Sequence, residues 1–278
     1  MTTDLTLEDV HFRRNWHPAA IVGHRCLARG LSDIAAMGGT PISAFLSLAT
    51  PRGSDKWICS FLGGLIRLAR MHRVELAGGD LAQSHSVISA DIVVLGLAPT
   101  RRALLRSGAR PGDGIFVTGA LGGAAATLLT LQKRKRIRID GNDPHFYPSP
   151  RVAVGRVLLE KRIATSAIDV SDGLSTDLSH LCEESGVGAK LDASAIPISG
   201  TAHKIGNSLD LALHGGEDYE LLFTASKRTR VPRIIAGVPI TRIGEITRVS
   251  QKDRSAPMIL MQEGRRRVLR AEGWEHFR

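Results

Sequence analysis

Five aspartates sit in short collars of small residues: Thr2-Thr3-Asp4, Leu31-Ser32-Asp33, Gly78-Gly79-Asp80, and the pair in Asp169-Val170-Ser171-Asp172-Gly173. The runs before the later four are apolar and read as buried strands or helices. Each carboxylate is therefore expected at the end of a packed element, where glycine and serine let a ligand approach the backbone. Carboxylates converging at close range repel one another and resist ionising together unless cations lie between them. Hard oxygen ligands suit magnesium, and magnesium held on carboxylates is a common grip on polyphosphates. The expectation is that Asp4, Asp33, Asp80, Asp169 and Asp172 meet in one cleft.

The elements that must position them follow from pattern and punctuation. Thr2 to Phe12 alternates like a strand. Pro18 suits the first turn of a helix running from Ala19 to Met37 and closed by Gly38-Gly39. Ile42 to Ala49 predicts a strand, Ser54 to Met71 a helix, Val74 to Ala77 a short strand, and Val87 to Leu97 a longer one. The turn cluster Ser107 to Asp113 marks a domain boundary, dividing the chain into 1–107 and 108–278. Beyond it, strands are predicted at Ile115–Thr118, Ala167–Val170, Glu220–Thr224, Ile240–Ile246 and Met258–Met261. Helices are predicted at Ala124–Leu131, Arg151–Glu160 and Ser175–Ser185. The order makes this an α/β, or mixed α+β, protein of two unequal domains.

A chain of 278 residues with 43% hydrophobic content can bury a substantial core. Its net charge of +10 permits anionic partners. The basic clusters at Arg101-Arg102, Lys133 to Arg136, Lys227 to Arg230 and Arg265 to Arg267 are scattered and lack interleaved aromatics, which argues against nucleic-acid binding. Cys26, Cys59 and Cys182 are far apart and form no metal or disulfide pattern. No apolar run is long enough to span a bilayer, and no export signal follows Met1, so a cytoplasmic protein is expected.

Smaller motifs each allow two readings. Gly119-Ala120-Leu121-Gly122-Gly123, between a strand and a helix, could cradle phosphate on its backbone amides, or serve simply as a tight turn. Gly215-Gly216-Glu217-Asp218-Tyr219-Glu220 is either a charged turn or a place of close ligand approach. Trp274 could pack the C-terminal tail or offer a flat face to a cationic ring. His11, alone, reads as a strand histidine. No local signature of a Ser-His-Asp or Cys-His nucleophile is present.

Taken in order, these motifs resemble the thiamine-monophosphate kinase family of the aminoimidazole ribonucleotide synthetase-like superfamily. The likeness runs from Thr2-Thr3-Asp4 through Leu31-Ser32-Asp33, Gly78-Gly79-Asp80, Arg106 to Asp113 and Ile168 to Leu174. It ends at Gly215 to Leu221 and Gly273 to Phe277. The resemblance implies ATP-dependent phosphorylation of thiamine monophosphate to thiamine diphosphate at a multi-magnesium site, by in-line transfer, in a homodimer built on the N-terminal domains. It implies magnesium ligands at Thr2, Thr3, Asp4, Asp33, Asp80, Asp169 and Asp172, with Asp4, Asp80 and Asp172 catalytic. It further implies ATP contacts at Gly79, Asp80, Arg106 and Ser171, and substrate contacts at His11, Glu217 and Trp274.

The sequence also departs from the family pattern. Gly30 and Leu81 stand where the family usually has asparagine and threonine. The family's upstream Gly-Asp-Asp segment, a further magnesium ligand, does not precede Met1, which leads to the expectation of a truncated or impaired enzyme. The competing functions are another ATP-using enzyme of the superfamily, or a non-catalytic paralogue that binds nucleotide. Among the former, a selenophosphate synthetase would carry a reactive cysteine near its N-terminus.

Overall fold

The structure, a computed structural model, describes residues 1–99, 102–134, 137–249 and 258–274. The first part of the chain folds as β1 (Thr2–Leu7), α1 (Ala19–Ala36), β2 (Thr40–Thr50), α2 (Asp55–His72), β3 (Glu75–Gln83) and β4 (Ser89–Leu97). Its four strands form one sheet in the order β1-β4-β2-β3, antiparallel except for β2 with β3. The alternation Ala90, Ile92, Val94 on β4 and Ala44, Leu46, Leu48 on β2 turns one sheet face onto α1 and α2. The opposite face is open, with Leu5 45% and Phe45 37% exposed.

α1 and α2 approach so closely that neither tolerates a side chain at the crossing. A Cβ on Gly23 would lie 1.9 Å from the Phe61 carbonyl oxygen, and one on Gly64 would lie 1.8 Å from that of Ala20. Close backbone approach lets Phe61 and Leu65 fill the core completely, worth about 2–3 kcal/mol each against exposure. Pro18 precedes the helix as its cap, one place earlier than the first-turn position its sequence suggested.

The second part comprises β5 (Gly114–Thr118), α3 (Gly123–Arg134), α4 (Val152–Glu160), β6 (Ser166–Val170), α5 (Leu174–Ser185) and β7 (Gly188–Asp192). There follow α6 (Gly200–His203), α7 (Ser208–His214), β8 (Glu220–Ala225), β9 (Ile234–Ile235), β10 (Val238–Thr247), β11 (Met258–Gln262) and β12 (Arg265–Val268). The main sheet path is β12-β11-β7-β10-β5-β8-β6, with β9 paired to β10. One apolar core lies under the first sheet and continues through Leu158 and Ala167 to Leu221 and Phe223. A second fills the space between the larger sheet and α5 and α7. α1 thus packs on both parts of the chain and becomes the frame of the site.

Several expectations change, and β1 stops at Leu7 rather than running on to Phe12. β3 continues to Gln83, so Gly78-Gly79-Asp80 lies inside an edge strand rather than at an element's end. The parallel ladder to β2, not an apolar pattern, holds this glycine-rich segment extended. β7, β9 and β12 also form where no strand was predicted, and α6 and α7 where no helix was. Gly188-Ala189-Lys190-Leu191-Asp192 and Arg265-Arg266-Arg267-Val268 are poor in β-branched residues, and their neighbours in the sheet impose the conformation.

Candidate active site

α1 is apolar on most of its surface but carries Arg25, Arg29, Ser32 and Asp33 near its C-terminal half. The spacings of four, three and one place them on neighbouring turns of one face. Alternation on β1 turns Thr2 and Asp4 toward that face. Thr2 donates a short hydrogen bond to Asp33, and Arg29 bridges Asp4 at 2.7 Å. β6 is buried throughout and delivers Asp169 at its end, where Ser32 donates to it at 2.6 Å.

The turn after β6 is held through its own backbone. Both the Ser171 and the Asp172 N–H donate to Asp177 Oδ2 at 3.0 Å. The Ser171 carbonyl accepts the Glu217 N–H at 2.7 Å, and the Asp172 carbonyl accepts the Trp274 N–H at 3.0 Å. Glu217 and Tyr219 adopt φ of 67° and 50°, a region costly for residues with side chains, in a loop that Arg25 locks from the other side. Arg25 donates to Glu217 at 2.7 Å, to the His11 carbonyl at 3.1 Å and to the His145 carbonyl.

Electrostatics follow burial first and partners second. Burial, then the charge of Asp33, pushes the Asp169 carboxyl up to about 7. Burial also raises Asp33, against the pull of Thr2, Arg106 and Arg29, and raises Asp4 against Arg29. For Glu217 burial pushes upward but Arg25 and Arg29 outweigh it and hold the carboxyl at about 2. His145 is itself driven well below the usual imidazole range by burial and Arg25, so it is neutral near pH 7 and Arg25 does the holding. Its Nδ1, 3.9 Å from Glu217, makes no hydrogen bond. His17 joins it through Nε2 at 2.9 Å and is lowered to about 4 by burial and Arg25.

Asp33 and Asp169 are oxygen donors that burial and mutual repulsion make reluctant to ionise without a cation, which fits a hard divalent metal. Among the described residues, however, no three His, Cys, Asp or Glu side chains form a ready metal cluster. Asp4 is turned instead to Arg29.

The model of the AIR synthase related protein N-terminal domain matches residues 1–98, and that of its C-terminal domain residues 110–254. The thiamine-monophosphate kinase of Escherichia coli O157:H7 is 37% identical over 290 aligned positions, covering 100% of this chain and 86% of the relative. That of Bacillus subtilis (strain 168) is 34% identical, with 99% and 87% covered. The chain belongs to the thiamine-monophosphate kinase family.

Among solved structures, the family member from Stenotrophomonas maltophilia K279a superposes with a TM-score of 0.83 at 33% identity, covering 95% of this chain and 85% of that one. AaThiL, solved in complex with AMPPCP and TMP, gives 0.83 at 30% identity, covering 99% and 86%. The hydrogenase maturation protein HypE shares the fold alone, with a TM-score of 0.79 at 18% identity. The two-domain AIR synthase-like fold anticipated from the thiamine-monophosphate kinase motifs is present, and the chain is a kinase of that family.

The residues singled out in the sequence fall into two places. Asp4, Asp33, Asp169 and Asp172 gather around α1 and the β6 turn, with Thr2, Ser171, Glu217 and Trp274 beside them. The half-exposed Trp274 is tied there through its backbone, while Glu275, His276 and Phe277 lie outside the described residues. His11 stays at the edge, its Nδ1 accepting the Leu7 N–H at 3.0 Å and its carbonyl accepting Arg25. Arg106 is exposed but its charge reaches Asp33.

Asp80 does not join them within the chain. The register Asp80↔Ser47↔Asp91 puts it on the open sheet face, with Thr3, which donates to Asp91 at 2.7 Å. Asp4 lies on the other face, toward α1. Strand alternation thus puts the Asp80 side chain on the sheet face opposite Asp4 within one chain, which the expectation of a single cleft did not foresee. The Gly119–Gly123 turn also changes meaning. The Gly122 N–H donates to Asp218 at 2.7 Å and that of Ala124 at 3.3 Å, so a carboxylate of the chain already takes these amides.

Sequence reasoning missed Arg25, Arg29, Ser32, His145 and Asp177. The spacing Arg25, Arg29, Ser32, Asp33 on a helix of small and apolar residues was a readable signal of a buried polar stripe. Asp177, one turn into α5, had the form of a residue folding back on its own turn. His145, in the polar stretch between α3 and α4, carried no such signal.

Proposed function

We propose that this chain transfers the γ-phosphoryl group of ATP to thiamine monophosphate, giving thiamine diphosphate and ADP. The observation that carries the reading is the joining of two kinds of group on one turn. Asp169 and Asp172 flank the turn, and its successive carbonyls hold Glu217 and Trp274. An acidic phosphate-metal site and a carboxylate with an indole face, suited to a cationic heteroaromatic ring, are then neighbours by backbone connection. Family membership and the AaThiL complex with an ATP analogue and TMP support the same assignment.

Asp33 and Asp169, with Asp4 and Asp172 nearby, would hold magnesium. When bound, the metal would supply neutralisation of phosphate charge. Arg106 and Ser171 contact the nucleotide. Glu217, kept ionised by Arg25, draws the cationic thiamine moiety, and Trp274 lies against it. Direct in-line transfer needs no protein nucleophile, consistent with the absence of an activated serine or cysteine motif.

Thr3 and Asp80 stand on the open face of the first sheet, and Gly79 precedes Asp80 on the exposed edge strand β3, so their roles toward metal and nucleotide require a partner surface there. A homodimer through the N-terminal domain, 1–107, covers that face, and Leu5 and Phe45 give it an apolar centre. Cys26, Cys59 and Cys182 are free, which suits a cytoplasmic setting. Among the described residues no helix is long and apolar enough to cross a membrane.

The test is an assay of the purified chain with ATP, magnesium and thiamine monophosphate, following thiamine diphosphate and ADP in equal amounts. ADP without thiamine diphosphate would overturn the substrate assignment.

A further inference from the structure

The residues just before Trp274 make a strap whose seat is unusually specific. The Gly273 N–H donates to Thr176 Oγ1 at 3.0 Å, and Thr176 is only 8% exposed. The Glu272 N–H reaches Ser175 Oγ at 3.4 Å, and that hydroxyl is bonded to His214 Nδ1 at 2.9 Å. The Trp274 N–H then reaches the Asp172 carbonyl at 3.0 Å. Three consecutive backbone donors are thus taken by the first turn of α5 and the turn before it. A Cβ on Gly273 would lie 1.9 Å from the Asp172 carbonyl oxygen and 2.6 Å from Thr176 Oγ1, so the strap seats only with glycine there.

The other side of the same turn is equally tight. A Cβ on Gly216 would lie 2.6 Å from the Ser171 carbonyl oxygen, the atom that accepts the Glu217 N–H. Glu217 and Trp274 therefore hang from adjacent peptide carbonyls of one rigid turn, one brought by the loop after α7 and the other by the strap. Trp274 is half exposed, so apolar packing alone does not set its position. The hydrogen bonds at Glu272, Gly273 and Trp274 hold its backbone on the turn.

From this geometry we infer that Thr176 and Gly273 are positioning residues for substrate specificity, seating the C-terminal strap so that Trp274 stands opposite Glu217 across the binding site for the cationic ring. The inference rests on the reading of Trp274 and Glu217 as substrate contacts. Neither Thr176 nor Gly273 touches substrate. They act through the strap, and their loss is felt at the thiamine end of the site rather than the nucleotide end.

The experiment measures dissociation constants calorimetrically for thiamine monophosphate and, separately, for the ATP analogue AMPPCP with magnesium. It compares the unmodified chain with Thr176→Val, Thr176→Ser, Gly273→Ala and Trp274→Ala. Thr176→Val keeps the shape and removes the acceptor. It and Gly273→Ala weaken thiamine monophosphate binding about tenfold and leave AMPPCP within about twofold, while Thr176→Ser restores binding to within about twofold. Equal weakening of both ligands, or no rescue by serine, would overturn the inference in favour of a merely structural strap. If Trp274→Ala weakens thiamine monophosphate and the other two variants do not, the substrate reading stands and the strap inference falls. If Trp274→Ala has no effect on thiamine monophosphate, the reading of Trp274 itself fails and takes the inference with it.

Discussion

Ser32 on α1 donates a hydrogen bond of 2.6 Å to Asp169 at the end of β6, two residues 137 positions apart. The bond ties the helix that covers the first sheet to a strand of the second. It also sets Asp169 beside Asp33, the neighbour of Ser32 in sequence. The two carboxylates are near enough that the charge of Asp33 is a cause of the raised Asp169 titration. A packed helix and a buried strand end, rather than mobile loops, hold the acidic pair.

Asp177 is the hinge pin of the turn that follows. Asp177→Ala leaves the Ser171 and Asp172 N–H groups without an acceptor, costing roughly 2–4 kcal/mol of stability. Turnover is expected to fall at least about tenfold, because Asp172, Glu217 and Trp274 all hang from that turn. Asp177→Asn keeps an oxygen in place and is expected to retain most stability. Urea midpoints and steady-state rates of the two variants check this. Equal behaviour of alanine and asparagine would remove Asp177 from the positioning role.

The buried imidazoles make stability depend on pH. His17 is lowered from 6.5 to about 4 in the folded protein, so the unfolded chain takes up its proton first as pH falls. Its contribution is complete above pH 6.5 and is lost between 6.5 and about 4, an expected decline of about 3 kcal/mol. His145, lowered in the same cavity, acts in the same direction. Arg25 and Glu217 face both rings, and Glu217, held at about 2, stays ionised across this window. Urea unfolding at pH 7 and pH 5 should show the loss, and His17→Asn should reduce it. An unchanged slope in the variant would assign the acid sensitivity elsewhere.

Much of this frame was legible in the sequence. The boundaries of α1, α2 and α5 and of the strand carrying Asp169 follow from periodicity, glycine stops and β-branched runs, whereas the strand carrying Asp4 stops at Leu7, five residues short of the expected Phe12. Asp80 was misplaced because a glycine-glycine pair reads as a turn, whereas pairing with β2 holds Glu75–Gln83 as a strand. The partners Arg25 and Arg29 were hidden for a related reason. Arginine is counted as surface unless the carboxylates it meets, here Glu217 and Asp4, are known to be near, and only the tertiary fold brings them there.

The open sheet face predicts self-association. Phe45→Arg, at the centre of that face, is expected to shift sedimentation from two chains to one and to reduce kinase activity with it, since Asp80 lies on the same face. A chain that sediments singly at assay concentration and turns over fully would exclude the dimer from the mechanism.

Asp169, bonded to Ser32 across α1 and β6 and set beside Asp33, is expected in the phosphoryl-transfer site. Asp169→Asn keeps the shape and a Ser32 acceptor but cannot carry the negative charge a metal requires. The deciding measurement is transfer of labelled γ-phosphate from ATP to thiamine monophosphate in saturating magnesium, alongside the melting temperature. An unchanged or higher melting temperature is expected, since a buried, reluctantly ionised carboxyl is gone, with transfer reduced by about a hundredfold or more. Transfer within about threefold of the unmodified chain would contradict it.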